Sequence, residues 1–233
     1  MLGLFSLQSD GWDAWRVLSA ALSMSTAIAY LGFVAKPYSL QRALLKTFVL
    51  AVLVPLPLSV LDACPEHSTS LALLSAALTL SAIGDWFLAQ KDQKRYFVLG
   101  LGSFLLAHVA FMVSFLPLAS ALRPVAVFLW VLAAVLAGWH IRRLLPKLGA
   151  LKLPVFAYVS VIMSMVAVAF SVRETGLVLG LGAALFAFSD GLIGVRKFLQ
   201  PFRGLDEAIW ISYVLAQYLM AASVIWVALA TQR

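Results

Sequence analysis

Residues 124–144 read PVAVFLWVLAAVLAGWHIRRL, and this stretch decides the class of fold. Between Pro124 and Ile141 it contains no Asp, Glu, Lys or Arg, and it closes on Arg142 and Arg143. A helix needs about 20 mainly apolar residues to cross the hydrocarbon core of a bilayer. The stretch therefore predicts a membrane-spanning helix.

The composition of the whole chain has the same character. Its 233 residues are 63% hydrophobic and 12% charged, with a mean hydropathy of +0.99. Soluble domains carry about 25% charged residues, so this composition excludes a soluble globular protein and also a disordered one. Cys64 is the single cysteine, which excludes a disulfide scaffold. Residues 1–10 lack the basic start and cleavage pattern of a signal peptide, and we expect an integral membrane protein.

Apolar runs of spanning length recur along the chain, with short connections between them. We predict an all-α polytopic membrane protein, a single transmembrane domain over residues 1–233 that is a bundle of eight transmembrane helices. The predicted spans are 14–34, 43–61, 70–89, 96–117, 124–144, 153–171, 176–198 and 206–230. Pro55 and Pro57 lie inside the second span, which we expect to be kinked or shortened.

The basic residues alternate between the two sides of these spans. The loops after the first, third, fifth and seventh spans hold 13 Lys and Arg residues, and the other side holds Arg16, Arg123, Arg173 and Arg233. Short cytoplasmic loops are rich in Lys and Arg, so we expect the odd-numbered loops in the cytoplasm and both termini outside. The expected location is the bacterial inner (cell) membrane. The net charge of +7 then reflects orientation in a membrane and not a nucleic-acid partner.

Small residues recur four apart on the seventh predicted span, at Gly176, Gly180 and Ala184. Such a row allows another helix backbone to approach closely. We therefore expect tight helix packing here.

Four ionisable residues lie within or at the edge of the apolar spans, namely Lys46, Asp85, His108 and Asp190. Ionisable groups are costly in hydrocarbon, so each is a candidate functional residue. At 1.5 Å per residue, Asp85 lies about 6–8 Å and Asp190 about 10–12 Å from the cytoplasmic ends of their parallel spans. The two carboxylates are predicted to share one layer in the cytoplasmic half of the membrane.

Other polar side chains are expected near that layer. Tyr213 and Gln217 are four residues apart and line one face of the eighth span, while Lys46 opens the second span at the cytoplasmic boundary. His108 is expected about 18 Å deep, too deep to touch Asp85. Each of these residues also has a structural interpretation: packing or an interhelical hydrogen bond for most of them, and snorkelling to the interface for Lys46.

The sequence predicts no metal site and no cofactor. His67, His108 and His140 form none of the spacings that are typical of zinc sites. A serine nucleophile stays open as an alternative, although Ser81 and Ser189 have no histidine at a usable depth.

Two short stretches resemble each other. SAIGD at residues 81–85 and LFAFSD at residues 185–190 each place Asp after a small residue, with basic residues following. They lie four spans apart and hence in parallel orientation, which suits a duplicated four-helix unit.

Two sets of motifs resemble the signatures of the YhhN/TMEM86 family. The first consists of Gly84–Leu88, residues 90–100 and the FLLAH stretch that ends at His108. The second consists of Gly182–Phe186, Ser189–Asp190, Lys197–Phe198 and Tyr213–Gln217. The resemblance covers about residues 40–225, and the chain departs from it at Lys46–Thr47, where members often have Lys-Pro or a nearby proline.

This resemblance implies a function. Members of the family include lysoplasmalogenases, multi-spanning hydrolases that cleave the vinyl ether bond of lysoplasmalogens. The implied partners are membrane lipid and a lysophospholipid substrate, and the implied products are a fatty aldehyde and glycerophosphoethanolamine or glycerophosphocholine. The lipid chain would lie between helices, the vinyl ether near the aspartates and the head group near cytoplasmic Lys and Arg residues. The physiological lysolipid and the oligomeric state stay open.

Vinyl ether hydrolysis gives a reason for two acids. One carboxyl delivers a proton to the outer alkene carbon, and the other stabilises the oxocarbenium-like cation and activates water. We assign Asp190 as the acid and Asp85 as the base, with the reverse assignment open. Five further residues are assigned to substrate binding or to support of the carboxyls: Lys46, His108, Ser189, Tyr213 and Gln217.

Two other classes of function stay open. Intramembrane carboxylates also serve proton-coupled transporters, in which a weak repeat suits alternating access. A lipid-binding protein would bind a lysolipid and leave it intact.

Overall fold

The computed structural model describes residues 12–121 and 123–231, without the side chains of Trp12, Asp13, Gln93 and Lys94. Within these residues the chain is helical, apart from one isolated antiparallel bridge between Ala119 and Val172. The α-helices are α1 Trp12–Leu31, α2 Leu40–Ala51, α3 Pro55–Leu58, α4 Ser68–Leu88, α5 Gln93–Phe115, α6 Pro124–Leu144, α7 Lys152–Ser171, α8 Gly176–Phe198 and α9 Leu205–Ala230. With α2 and α3 taken together as the second span, the predicted boundaries differ from these by at most three residues, as at Leu40 against 43.

The predicted break in the second span is confirmed. The regular helix α2 ends at Ala51, and the chain resumes as the single turn α3 from Pro55. Proline has no N–H to donate, and its ring collides with the preceding helical turn. The Ser75 hydroxyl donates to the Val54 carbonyl over 2.5 Å, so a neighbouring helix supplies a hydrogen bond to the backbone at the break.

Seven helical stretches of the described chain are long and apolar enough to cross a membrane. They are Leu40–Leu58, Pro65–Leu88, Arg95–Leu118, Pro124–Lys147, Gly149–Ser171, Gly176–Phe198 and Leu205–Ala230. The protein is therefore an integral membrane protein of the all-α class. The helix α1 is not among the seven, because Arg16 and several Ser and Thr residues lower its mean hydropathy. The prediction of eight spans is thus confirmed for seven of them.

The chain forms two compact units. The first comprises Met1–Ser114 with Val224–Arg233, and the second comprises Phe115–Ser223. The helix α9 therefore contributes its last residues to the first unit and the rest to the second.

In the first unit α2 packs between α1 and α4. The Ser23 hydroxyl on α1 donates to the Val49 carbonyl on α2 over 2.6 Å. Two serine hydroxyls of α5, Ser103 and Ser114, donate to carbonyls of α4 over 2.6 and 2.9 Å. Hydrogen bonds of this kind help to hold helices together in a bilayer, where the hydrophobic effect does not drive helix association.

In the second unit α7 packs against both α6 and α8. The row of small residues lies at this contact: the Phe170 ring occupies the space that a side chain at Gly180 would need. At Gly176, a Cβ atom would meet the Phe170 carbonyl oxygen at 2.8 Å. The expected close packing along this row is what the structure has at both glycines.

Candidate active site

The carboxylate of Asp85 lies near the end of α4 and forms a salt bridge with α2. Asp85 is 1% exposed, and its Oδ1 is 2.9 Å from the Lys46 Nζ. A buried carboxylate needs such a partner, because an isolated charge in a low-dielectric interior costs several kcal/mol. The first unit therefore contains a buried ion pair between two membrane-spanning helices.

The position of Lys46 differs from the sequence prediction. The prediction placed Lys46 at the cytoplasmic start of its span, from which it could snorkel to the interface. In the structure Ser39 caps α2 by accepting a hydrogen bond from the Arg42 N–H, so the helix begins at Leu40 and Lys46 lies six residues inside it. With its side chain only 15% exposed, Lys46 reaches Asp85 instead of the interface.

Glycines allow α4 and α5 to approach closely beside Asp85. A Cβ atom at Gly84 would meet the Phe104 ring at 2.7 Å, and one at Gly100 would meet Leu88 at 2.7 Å. Any larger residue at either position would have to push a neighbouring side chain away. The sequence around Asp85 thus holds its helix tightly against α5.

His108 is completely buried on α5. Its Nδ1 is 2.6 Å from the Phe104 carbonyl oxygen, one helical turn earlier. A carbonyl only accepts, so Nδ1 is the donor in this hydrogen bond. The His108 ring is therefore hydrogen-bonded to the backbone of its own helix.

The second predicted carboxylate, Asp190, has a hydroxyl partner. The Tyr158 hydroxyl on α7 donates to Asp190 Oδ2 on α8 over 2.5 Å. Sequence analysis did not identify Tyr158, because a tyrosine within an apolar helix is not conspicuous. The positions of the two residues along their helices would have indicated the pair. Tyr158 lies about 9 Å from the start of α7, and Asp190 about 12 Å from the end of the antiparallel α8, so the two are at similar heights.

Three further predicted residues belong to the same unit as Asp190. The Ser189 hydroxyl donates to the Ile209 carbonyl over 3.1 Å, which ties α8 to α9. Tyr213 packs edge-on against Phe186, with ring centroids 5.5 Å apart. Gln217 follows one turn later on α9 and is fully buried. The predicted common face of Tyr213 and Gln217 is thus an inward face.

Another histidine fixes the backbone next to Asp190. His140 Nε2 on α6 is 3.0 Å from the Gly191 carbonyl oxygen. A Cβ atom at Gly191 would lie 3.6 Å from the His140 ring. The carbonyl accepts, so Nε2 is the donor. Three helices of the second unit therefore meet around Ser189–Gly191.

The structure brings some predicted site residues together within each unit. The first unit joins Lys46 to Asp85, and the second joins Asp190 to Tyr158, a residue that the prediction lacked. Asp85 and Asp190 belong to different units, and their common layer stays a prediction. The roles assigned to the site residues also stay predictions.

The protein is a helical integral membrane protein whose spans contain carboxylates with polar partners. Ionisable groups inside membrane spans usually mark functional sites. The profile of the YhhN family matches residues 41–224, which include Lys46, Asp85, Tyr158 and Asp190. The chain therefore belongs to the YhhN family. The resemblance recognised in the sequence motifs is confirmed.

Curated relatives of this chain are lysoplasmalogenases. The chain is 38% identical over 157 residues to the Mycobacterium tuberculosis lysoplasmalogenase, an alignment that covers 64% of this chain and 59% of that protein. It is 34% identical over 159 residues to Bos taurus lysoplasmalogenase TMEM86A, covering 64% and 63% of the two chains. The Homo sapiens TMEM86A is also 34% identical, over 157 residues with the same two shares.

The matched region spans about three fifths of the length of these curated relatives. No solved structure matches the chain significantly.

Proposed function

We propose that the protein is a lysoplasmalogenase-like hydrolase that cleaves the vinyl ether bond of a lysoplasmalogen. One observation carries the proposal: within the region that matches the YhhN family, each motif aspartate sits in a spanning helix with a polar partner from another helix. Vinyl ether hydrolysis needs acid and base groups at the depth of a lipid chain. Partnered carboxylates inside spanning helices are groups of that kind.

The proposed chemistry divides the work between the two carboxyls. Protonated Asp190 delivers its proton to the outer alkene carbon, which leaves an oxocarbenium-like cation on the ether side. Water adds to the cation carbon and gives a proton to ionised Asp85. The hemiacetal then breaks its bond to the glycerol oxygen while its hydroxyl loses a proton and the glycerol oxygen gains one, and the products are a fatty aldehyde and glycerophosphoethanolamine or glycerophosphocholine. The two carboxyls recover their starting charges by proton exchange with water.

The partners support this division of roles. Lys46 gives Asp85 a positive counter-charge at 2.9 Å, which suits a carboxylate that must stay ionised to stabilise a cation and accept a proton. Tyr158 gives Asp190 a neutral hydroxyl, which suits a carboxyl that carries a proton. We propose substrate binding or support of the carboxyls for His108, Ser189, Tyr213 and Gln217.

We propose α1 as the eighth membrane span. Its 20 residues extend over about 30 Å, the thickness of the hydrocarbon core. Its one basic residue lies near its start, where Arg16 Nε and Nη2 donate to the Ser59 hydroxyl and carbonyl over 2.9 and 2.6 Å. A charge satisfied at one end does not prevent the rest of the helix from spanning.

The proposed arrangement in the membrane follows from eight spans. The odd-numbered loops, with most Lys and Arg residues, lie in the cytoplasm, and residues 12 and 231 lie on the opposite side. The bundle is one transmembrane domain of a bacterial inner membrane protein, and both carboxyls lie in its cytoplasmic half.

The test of the proposed function is turnover by purified protein. The substrates are a lysoplasmenylethanolamine and its acyl-linked counterpart, with mass spectrometry of the products. We expect fatty aldehyde from the vinyl ether substrate only. Aldehyde release should fall at least about 100-fold in Asp85→Asn and in Asp190→Asn, the usual range for loss of a general acid or base. Asp62→Asn, at an exposed aspartate, is the matched control with full activity.

Other outcomes would favour the alternatives. Intact lysolipid after binding would overturn the hydrolase and favour a lipid-binding protein. Uptake into liposomes that depends on a pH gradient, without aldehyde release, would instead favour a proton-coupled transporter.

A further inference from the structure

A six-residue motif occurs twice in the chain, once in each unit. Residues 103–108 read SFLLAH, and residues 212–217 read SYVLAQ. The two copies have matching environments: Ser, the aromatic residue, Ala and the last polar residue are buried in both, and the fourth residue is exposed in both. In each unit a buried hydrogen-bonding side chain, His108 or Gln217, therefore follows a buried aromatic residue by one turn.

The helices that carry the aspartates match in the same way. When Asp85 is aligned with Asp190, residues 71–85 of α4 pair with residues 176–190 of α8. Seven positions are buried in both helices: 71 and 176, 74 and 179, 75 and 180, 77 and 182, 78 and 183, 81 and 186, and 84 and 189. Three positions are exposed in both: 72 and 177, 76 and 181, and 83 and 188. The two helices thus bury equivalent faces.

The contact between the paired helices is also equivalent. In the first unit the carbonyl of Gly84, just before Asp85, lies 3.4 Å from where a Cβ of Gly100 would be. In the second unit the hydroxyl of Ser189, just before Asp190, is 3.1 Å from the Ile209 carbonyl. Gly100 and Ile209 both lie four residues before the aromatic residue of the repeated motif. The pairs α4–α5 and α8–α9 therefore share one pattern of burial and meet at equivalent positions.

The two pairs differ in the partner of the aspartate. In each unit it comes from the long helix that precedes the pair in the chain, α2 or α7. The first unit supplies the ammonium of Lys46, and the second supplies the hydroxyl of Tyr158. An ammonium brings a full positive charge, whereas a hydroxyl brings one directed hydrogen bond and no charge. The two carboxyls therefore differ in the charge of their partner, although the motifs around them are similar.

We propose that Tyr158 is the positioning residue of Asp190 and that its hydrogen bond orients the carboxyl for proton delivery. The inference rests on the proposed hydrolase function. Because the Tyr158 hydroxyl donates to Oδ2, the transferred proton is carried by Oδ1, and the bond fixes the plane of the carboxyl relative to α7 and α8. Tyr158 itself forms and breaks no bond with the substrate.

The test compares Tyr158→Phe with Tyr38→Phe, which removes the same hydroxyl from an exposed tyrosine between α1 and α2. For Tyr158→Phe we expect kcat for aldehyde release to fall about 10- to 100-fold, with KM within about twofold, because orientation of the acid matters in the transition state and not in lipid binding. Tyr38→Phe should leave both constants unchanged. Equal kcat values for the two variants would overturn the proposal, whereas absence of aldehyde from the unaltered protein would overturn the hydrolase function instead.

A second measurement does not depend on activity or on the fold of the phenylalanine variant. Incorporation of 3-fluorotyrosine at position 158 keeps the hydroxyl and makes it a stronger donor. The infrared carboxyl band that disappears in Asp190→Asn should then shift, and 3-fluorotyrosine at position 38 should leave it in place. A band that does not respond to position 158 would overturn the assignment of Tyr158 to Asp190.

Discussion

At the scale of single residues, the salt bridge between Lys46 and Asp85 has the largest energetic consequences. Both groups lie in spanning helices, and their separation is 2.9 Å. Removal of one partner from a buried pair leaves a charge without compensation, which costs about 3–5 kcal/mol, while replacement of both is often nearly neutral. The effect on stability of a substitution at one position therefore depends on the residue at the other.

We expect Lys46→Met to lower the thermal unfolding midpoint in detergent strongly and the double variant Lys46→Met with Asp85→Asn to recover most of the loss. Lys91→Met, at an exposed lysine after α4, is the control with little change. A double variant as unstable as Lys46→Met alone would contradict the coupling. Lys46→Arg should keep the ion pair and most of the stability.

Residue chemistry explains how much of the site was predictable. Asp85 and Asp190 were identified because a charge inside an apolar run is rare and costly. Lys46 was identified, but α2 starts earlier than predicted because the capping role of Ser39 was not recognised. Tyr158 was missed because its hydroxyl matters only beside Asp190, and that proximity is a tertiary fact.

At the scale of helices, the fold depends on where backbones approach each other. Spans longer than 18 apolar residues are evident in the sequence, and so is the effect of Pro55 and Pro57 on the second span. The partner of each helix face is not evident, since lipid-facing and protein-facing residues are equally apolar. Glycines indicate part of the helix pairing, because some of them, such as Gly180, lie against a neighbouring ring and others, such as Gly138, face open space.

The pair Gly180 and Gly138 tests this distinction. We expect Gly180→Ala to destabilise the protein by about 1–3 kcal/mol, because the added methyl group collides with the buried Phe170 ring. Gly138→Ala on α6 meets nothing within 4 Å and should be neutral or stabilising by up to about 1 kcal/mol, the helix preference of Ala over Gly.

Unfolding midpoints of the purified proteins measure both effects. A smaller residue at position 170, in Phe170→Leu, should restore part of the stability of Gly180→Ala. Equal midpoints for the two alanine variants would argue against the α7–α8 contact.

At the scale of the whole molecule, the number of crossings decides the orientation of every loop. The proposed eight spans would put the loops around Lys36 and Lys91 in the cytoplasm and the loop around Arg123 outside. The eighth crossing depends on α1, which is not among the seven stretches that are long and apolar enough to cross a membrane.

Cysteine labelling in intact cells tests the arrangement. We expect an impermeant maleimide to label Ala14→Cys and Arg123→Cys from outside, and Lys36→Cys and Lys91→Cys only after the membrane is opened. The background should be low, because Cys64 is fully buried and burial, together with Glu66, raises the pKa of its thiol. Labelling of Ala14→Cys and Lys36→Cys from the same side would exclude α1 as a span.

The buried ion pair also has a consequence for biogenesis. The ribosome completes α2, with Lys46, before α4, with Asp85, so a lysine enters the bilayer before its counter-ion exists. A lysine at the centre of a helix costs about 2.5–3.5 kcal/mol on insertion scales. The nascent α2 must therefore stay near the insertion machinery or keep its amine toward the interface until α4 arrives. Maturation of the first unit is complete only when the later helix docks, which makes the order of synthesis part of the folding of this protein.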